Sequence, residues 1–218
     1  MKSILVIGMG RFGYHLAAKL QALGNDVMIV DRNAEVINDL APKFTDAQIG
    51  DCTNEAVIAS LGVKQMDICF VSIGENFESS LIITSMLKRA GAKRVIAKAN
   101  HELQADLLLQ IGANEVVYPE RELAENLAVR YNADNVFDYI ELTGEYSIYE
   151  IPIPITWVGK TLVELDVRKK HHINIIAIKS ESGLNPSPGA DYVFKPLDHI
   201  IVIGKAGDVF KLSGKRKK

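Results

Sequence analysis

Three glycines near the N-terminus have the spacing of a phosphate-binding turn. An apolar run at residues 4–7 is followed at once by Gly8-Met9-Gly10-Arg11-Phe12-Gly13. In a strand–turn–helix context, Gly8 permits a tight turn, Gly10 lets a pyrophosphate approach the backbone, and Gly13 lets helix and strand pack closely. Apolar residues at helical spacing follow the motif: Leu16, Leu20 and Leu23. The sequence therefore predicts a nucleotide site at a helix N-terminus, where free N–H groups and the helix dipole favour an anion.

An acidic residue at the expected distance strengthens this prediction. Asp31 ends a second predicted strand and lies 18 residues beyond Gly13, close to the spacing of the carboxylate that binds ribose hydroxyls in dinucleotide sites. The same carboxylate would repel a 2′-phosphate, so NAD, ATP and ADP fit better than NADP. Arg32 beside it slightly weakens that exclusion. The motif and the acid together predict an adenine nucleotide site.

Apolar runs alternate with helical patterns up to Tyr118, and this alternation predicts the elements that position these residues. Such alternation predicts a parallel sheet with helices on both faces, whose ligands bind beyond the carboxyl ends of the strands. Four polar residues stand at predicted strand ends and could share one crevice: Asp31, Asp51, Ser72 and Lys98. Asp51 has an equally good alternative role beside the helix that Thr53 is expected to cap, since aspartate is favoured at such positions.

The pattern changes in the second half of the chain. A predicted helix over 120–131 leads to no further strand of the parallel sheet, and the remainder is rich in short strands. We expect an α/β fold, namely a Rossmann-like doubly wound parallel sheet followed by a small C-terminal α+β domain. The boundary is placed near residue 134, which gives domains 1–134 and 135–218. Thr161 and Glu164 predict a capping box in the second domain rather than the end of a P-loop.

Composition excludes several classes of function. With a net charge of −2, the chain lacks the basic excess of a general nucleic-acid binder, and the basic tail Lys215–Lys218 is expected to be solvated. No run approaches the roughly 20 apolar residues of a membrane helix. Cys52 and Cys69 form no Cys-x-x-Cys pair, which favours a reducing compartment. We expect a cytoplasmic protein that reaches the inner face of the membrane only through a partner.

The sequence offers no evident set of catalytic residues. The histidines have no metal-ligand spacing, no Gly-x-Ser-x-Gly turn occurs, and no tyrosine is followed by a lysine four residues later. An oxidoreductase needs a substrate pocket and an acid or base facing the nicotinamide, and neither is apparent beyond the nucleotide crevice. We therefore expect a protein that is not an enzyme. A small NAD-dependent oxidoreductase without recognisable motifs is the alternative.

Longer stretches of both halves follow the pattern of a known family. The matching stretches are Val6 to Gly13, Val30-Asp31, Gly50-Asp51-Cys52-Thr53, Ile111-Gly112-Ala113-Asn114, Gly159-Lys160-Thr161-Leu162, Ile175-x-Ala177-Ile178 and Asp198 to Gly204. Through them the first half resembles the N-terminal RCK domain, the regulator of potassium conductance. The second half resembles the C-terminal domain of TrkA-type proteins. The single pair of domains is most similar to the Ktr type of cytosolic regulator of potassium uptake.

This resemblance implies a subunit without enzymatic activity beneath a membrane potassium translocator. It implies homodimers that assemble into an octameric ring, and it implies ATP or ADP, or else NAD or NADH, bound at the glycine motif and Asp31. Arg11 would lie near the terminal phosphate of a nucleotide in the neighbouring subunit. Cys52 stands where relatives often carry alanine. Glu120 would bind a divalent cation at a dimer interface, although an acid is also favourable at a helix start without any metal.

The resemblance also implies a second ligand in the C-terminal domain. Related domains bind cyclic di-AMP between two subunits, and the matching positions here are Asp166, Arg168, Asn174, Ile175 and Pro188. From its residue type alone, Arg168 is equally compatible with a solvated position on a helix.

Overall fold

The computed structural model describes residues 1–132 and 137–213. The chain divides into two compact units, Met1–Arg121 and Glu122–Lys218. The domain boundary near residue 134 and the basic tail Lys215–Lys218 lie outside the described residues, so both stay predictions.

The first unit contains a six-stranded parallel sheet in the order β3-β2-β1-β4-β5-β6. The strands are β1 (Ser3–Ile7), β2 (Asp26–Asp31), β3 (Asp46–Ile49), β4 (Ile68–Val71), β5 (Val95–Lys98) and β6 (Glu115–Val117). The helices that connect them are α1 (Arg11–Ala22), α2 (Ala34–Leu40), α3 (Glu55–Ser60), α4 (Phe77–Arg89) and α5 (Glu102–Ile111). Strand order reverses between β1 and β4, and in open sheets of this kind ligands bind beyond the carboxyl ends of the strands at such a point.

Strand β1 shows why the sheet needs helices on both faces. Its successive side chains point to opposite faces. Leu5 and Ile7 belong to one buried cluster, and Ile4 and Val6 belong to another. The predicted Rossmann-like class is therefore confirmed.

Helix α1 packs mainly through small residues. Its buried residues are Gly13 and Ala17, whereas Leu23, at 66% exposure, lies just beyond the helix. The leucine spacing thus predicted the helix, and Leu20 packs, half-buried, against the same cluster as Ala17. A helix that packs through glycine and alanine can approach the sheet more closely than one that packs through leucine.

Asparagine side chains cap the helices that follow β2, β3 and β4. Asn33 accepts hydrogen bonds from the N–H groups of α2, and Asn54 and Asn76 do the same for α3 and α4. The prediction that Thr53 caps α3 is wrong. The Thr53 hydroxyl instead donates to the Asp51 carboxylate at 2.7 Å, and the helix begins one residue later than that cap would require.

The second unit contains a five-stranded antiparallel sheet within residues 137–213, in the order β10-β9-β11-β8-β7. Its strands are β7 (Asp138–Glu141), β8 (Ser147–Pro152), β9 (Asn174–Ser180), β10 (Gly183–Asn185) and β11 (His199–Gly204). Its helices are α7 (Leu162–Leu165), α8 (Val167–His171) and α9 (Ala206–Ser213); α6 (Pro119–Asn132) crosses the division between the units. The predicted capping box of Thr161 and Glu164 is present at α7.

The core of this unit lies on one face of the sheet. Tyr149 and Ile151 of β8 alternate with half-buried residues, and Ile200 and Val202 of β11 do the same. The unit is the small α+β domain that the sequence predicts. Across residues 1–132 and 137–213, no helix has both the length and the apolar character that a membrane crossing requires.

Candidate nucleotide site

The glycine motif forms the turn between β1 and α1. Gly8 has a φ of +94°, a backbone conformation that residues other than glycine rarely adopt. Its N–H donates to the carbonyl oxygen of Val30 at 2.8 Å. Gly8 thus allows β1 to end abruptly beside β2.

Gly13 and Gly10 differ sharply in the space around them. A Cβ atom on Gly13 would lie 2.0 Å from the carbonyl oxygen of Gly8 and 2.6 Å from Ser72 Oγ. A Cβ atom on Gly10 would meet nothing within 4 Å. Gly13 therefore has no room for a side chain, whereas Gly10 borders open space at the start of α1.

The N-terminus of α1 is open to an acceptor. Gly10 is the N-cap residue and supplies no side-chain hydrogen bond, and the first turn of the helix contains no acidic residue. The first N–H groups of a helix have no partner within the helix itself. A phosphate beside Gly10 would satisfy them.

Asp31 joins the end of β2 to the glycine turn. Its Oδ2 accepts the Met9 N–H at 2.6 Å, and its Oδ1 accepts the Asn33 N–H at 2.8 Å. Each carboxylate oxygen has two lone pairs, so either can still accept a hydrogen bond from a ribose hydroxyl. The structure thus places Asp31 beside the turn, as the motif predicts.

Ser72 lies on the far side of the same turn, at the end of β4. Its hydroxyl is 2.6 Å from the Gly8 carbonyl oxygen and 2.9 Å from that of Ile7. The side chain is buried, and its hydrogen is used by the backbone of the turn. Ser72 is therefore at the site, but it contacts the loop.

Two cations lie near the start of α1. Lys98 at the end of β5 is only 10% exposed, and its Nζ is 2.6 Å from Glu120 Oε1 and 5.8 Å from the centroid of the Phe12 ring. The hydrogen bond from Lys98 lowers the pKa of Glu120, and the charge of Arg11 adds a smaller effect in the same direction. Arg11 itself is exposed. This part of the site holds two positive charges and one negative charge, which suits an anionic ligand.

The remaining residues predicted near β3 are engaged in their own loop. The Asp51 carboxylate accepts hydrogen bonds from the Thr53 N–H and hydroxyl, and these lower the pKa of Asp51, with a smaller contribution from Arg32. Cys52 is buried in the core, and burial raises the pKa of its thiol to about 12. A thiolate at Cys52 is thus unfavourable, and its side chain packs in the core.

Of the residues predicted in the C-terminal domain, the structure joins two directly. Arg168 Nε donates to Asn174 Oδ1 at 2.7 Å. Asp166 has a left-handed backbone conformation and lies 3.8 Å from the ammonium of Lys169. Ile175 follows Asn174 in β9, and Pro188 is half-buried in the loop after β10.

Within the part of the chain that the structure describes, Glu120 does not belong to a cluster of metal-ligating side chains. Among the residues that the structure describes, no group of three or more histidine, cysteine, aspartate or glutamate side chains could hold an ion. Lys98 already neutralises the Glu120 carboxylate. The cation site therefore stays a prediction.

Asn100 makes a polar contact at this edge of the sheet that the sequence patterns did not predict. Asn100 Nδ2 donates to the carbonyl oxygen of Gly74 at 2.6 Å, and this ties the segment after β5 to the loop after β4. Asn100 lies two residues beyond the end of β5, so the rule that ligands bind beyond strand carboxyl ends could have singled it out.

Comparison with known proteins places the chain in a family. The TrkA-N domain model matches residues 4–119, and the TrkA-C domain model matches residues 147–213. Ktr system potassium uptake protein C of Bacillus subtilis (strain 168) is 38% identical over 208 residues, which cover 95% of this chain and 94% of that protein. Ktr system potassium uptake protein A of the same organism is 32% identical over the same shares.

Solved structures show the same fold. The GsuK RCK domain superposes over 100% of this chain and 48% of its own, with a TM-score of 0.70 at 19% identity. The GsuK channel bound to NAD superposes over 100% of this chain and 40% of its own, with a TM-score of 0.71 at 20% identity. The chain thus spans about half the length of these structures or less.

The chain belongs to the family of proteins built from a TrkA-N and a TrkA-C domain. The expected resemblance to Ktr-type proteins is confirmed. The two relatives are named as potassium uptake proteins, and the expectation of a protein that is not an enzyme is also confirmed. The alternative of a small NAD-dependent oxidoreductase loses its support.

The contrast between Gly13 and Gly10 gives a direct test of the site's geometry. Gly13→Ala should lower the free energy of unfolding of the first unit by about 1–3 kcal/mol or more, because the new methyl group collides with backbone. Gly10→Ala is the matched control and should cost about 1 kcal/mol or less, since its Cβ enters open space at an N-cap. Urea denaturation of both variants measures the difference. Equal stabilities would contradict the close packing at Gly13.

Proposed function

We propose that this chain is a nucleotide-sensing regulatory subunit of a membrane potassium uptake system. The observation that carries the proposal is the open glycine turn, where Gly10 borders free space beside the N-terminus of α1, Asp31 and two cations. Relatives that match almost the whole chain are potassium uptake proteins. Membership of the family supports a role in potassium uptake, and the geometry of the turn supports a nucleotide as the ligand.

Each part of an adenine nucleotide would contact a different part of the site. The ribose hydroxyls would bind Asp31, and the phosphates would approach Gly10 and the first N–H groups of α1. ATP and ADP are the proposed ligands, with NAD or NADH as the alternative pair. The fold similarity to a channel bound to NAD is compatible with either.

Discrimination of ATP from ADP requires a group that responds to the third phosphate. Arg11 is exposed, carries a permanent charge and directly follows Gly10. Its charge already acts on the Glu120 carboxylate, which Lys98 holds. A terminal phosphate from a neighbouring subunit would compete with Glu120 for these cations. Nucleotide identity would thereby change the start of α6 and bias one of two assembly shapes.

Replacing Arg11 tests this mechanism. Arg11→Ala should bind ADP nearly as the parent does, but it should lose most of the parent's discrimination between ATP and ADP, because the group that responds to the third phosphate is gone. The measurement is potassium flux through the reconstituted transporter with each nucleotide. Arg89→Ala is the control, since it removes the same exposed charge from the far end of α4. Unchanged discrimination in Arg11→Ala would exclude Arg11 as the sensor.

The exposed side of α6 supports assembly of several copies. Leu123, Leu127 and Tyr131 follow one another at four-residue spacing and are 60%, 38% and 77% exposed in the single chain. Such a stripe is normally buried against another surface. We propose that it is covered by a second copy of the chain, which would give a homodimer that assembles into an octameric ring attached to the membrane translocator.

Light scattering tests the assembly. The parent protein should have at least the mass of a dimer at micromolar concentration. The double change Leu123→Asp and Leu127→Asp should reduce that mass, because it places charges on the stripe. Leu23→Asp, a matched change of another exposed leucine, should leave the mass unchanged. A monomeric parent, with and without nucleotide, would refute the proposal.

Two further ligands rest on the family resemblance. Cyclic di-AMP at Arg168 and its neighbours is supported by the Arg168–Asn174 hydrogen bond, which holds the guanidinium at the start of β9. Titration of cyclic di-AMP into the parent and into Arg168→Ala decides this proposal, and equal affinities would refute it. A divalent cation at Glu120 would have to displace Lys98 from the carboxylate, and calorimetry with Mg²⁺ in the presence of ATP would detect its binding.

A further inference from the structure

One peptide group in the glycine turn is held from both ends. The carbonyl oxygen of Gly8 accepts the hydroxyl hydrogen of Ser72 at 2.6 Å, and the N–H of Met9 donates to Asp31 Oδ2 at 2.6 Å. The Gly8 carbonyl and the Met9 N–H belong to the same planar peptide unit. Ser72 and Asp31 therefore fix the orientation of one plane from opposite sides.

The hydroxyl of Ser72 has only one hydrogen, although it lies near the carbonyl oxygens of both Ile7 and Gly8. The other contacts of these two oxygens indicate which of them accepts it. The Ile7 carbonyl already accepts the backbone N–H of Ser72 at 2.9 Å. The contact with Gly8 is the shorter of the two hydroxyl contacts. The hydroxyl hydrogen therefore serves the Gly8 carbonyl, and the Ile7 carbonyl keeps its backbone donor.

Close packing of α1 restricts rotation of the Gly8–Met9 peptide plane. A Cβ atom on Gly13 would lie 2.0 Å from the Gly8 carbonyl oxygen and 2.6 Å from Ser72 Oγ, so α1 presses against both groups. Ser72 is 7% exposed. The Ser72 hydroxyl is thus buried between the turn and α1, whereas the open space lies beside Gly10.

We propose that Ser72 is a positioning residue for the nucleotide site and contacts no part of the ligand. By holding the Gly8–Met9 peptide, it directs the Met9 N–H at Asp31 and so aims the carboxylate that would bind the ribose of an adenosine phosphate. The proposal rests on the nucleotide function proposed above. It assigns Ser72 to the loop, in place of the ligand contact that its position at a strand end predicts.

The experiment compares two serine-to-alanine variants. Ser72→Ala should weaken ADP binding about five- to tenfold, the effect of one net hydrogen bond. Ser80→Ala is the matched control, because Ser80 is 1% exposed and its Oγ has no partner among the described residues; it should bind ADP like the parent. Ser72→Cys offers only a weak donor of similar size and should also lose affinity. If Ser72→Ala does not fold, Ser72→Cys decides, and parent-like affinity in the folded Ser72 variant overturns the proposal.

Two readouts separate positioning from a merely structural role. In the ligand-free protein, the amide proton signal of Met9 should shift in Ser72→Ala and stay in place in Ser80→Ala. In an Asp31→Ala background, Ser72→Ala should cost less ADP affinity than in the parent, because Ser72 acts through Asp31. An unmoved Met9 signal, or a full loss in both backgrounds, overturns the proposal. A parent that binds none of ADP, ATP and NAD would instead overturn the nucleotide function.

Discussion

The close contact between α1 and the end of β1 is the constraint on which the site depends. Gly13 lies so near the Gly8 carbonyl that no larger residue fits, and this brings the N-terminus of the helix directly onto the turn. Because the helix starts there, its first N–H groups, which have no partner within the helix, lie beside the turn. The hydroxyl of Ser72 lies against this contact, and Asp31 is joined to the same turn through the Met9 N–H.

Charge around the turn is the basis of the response to a ligand that we propose. Lys98 is nearly buried and holds a carboxylate that belongs to the first turn of α6, the helix that crosses the division between the two units. An anion that draws Lys98 or Arg11 away from Glu120 would alter the start of this helix. A ligand can shift an equilibrium only by its difference in affinity for the two states, and the phosphate that differs between ATP and ADP is suited to produce such a difference.

Local patterns in the sequence predicted the parts of the site that depend on neighbouring residues. The turn at Gly8 to Gly13 and the acid at Asp31 were predictable because the motif carries its own geometry. The Lys98–Glu120 pair was not, because no motif relates these two residues and they meet only through the pairing of β5 with β6. Thr53 and Asn54 are both good caps, and only the contact between Thr53 and Asp51 decides between them.

Calorimetry of ADP binding to the parent protein, to Gly10→Asp and to Gly10→Ala tests the central claim most directly. All three proteins should fold, since a side chain at Gly10 enters open space. The parent should bind ADP, Gly10→Ala should retain much of that binding, and Gly10→Asp should lose it because a carboxylate would stand where the phosphates approach α1. Parent-like affinity in a folded Gly10→Asp protein would contradict the assignment of the glycine turn as the nucleotide site.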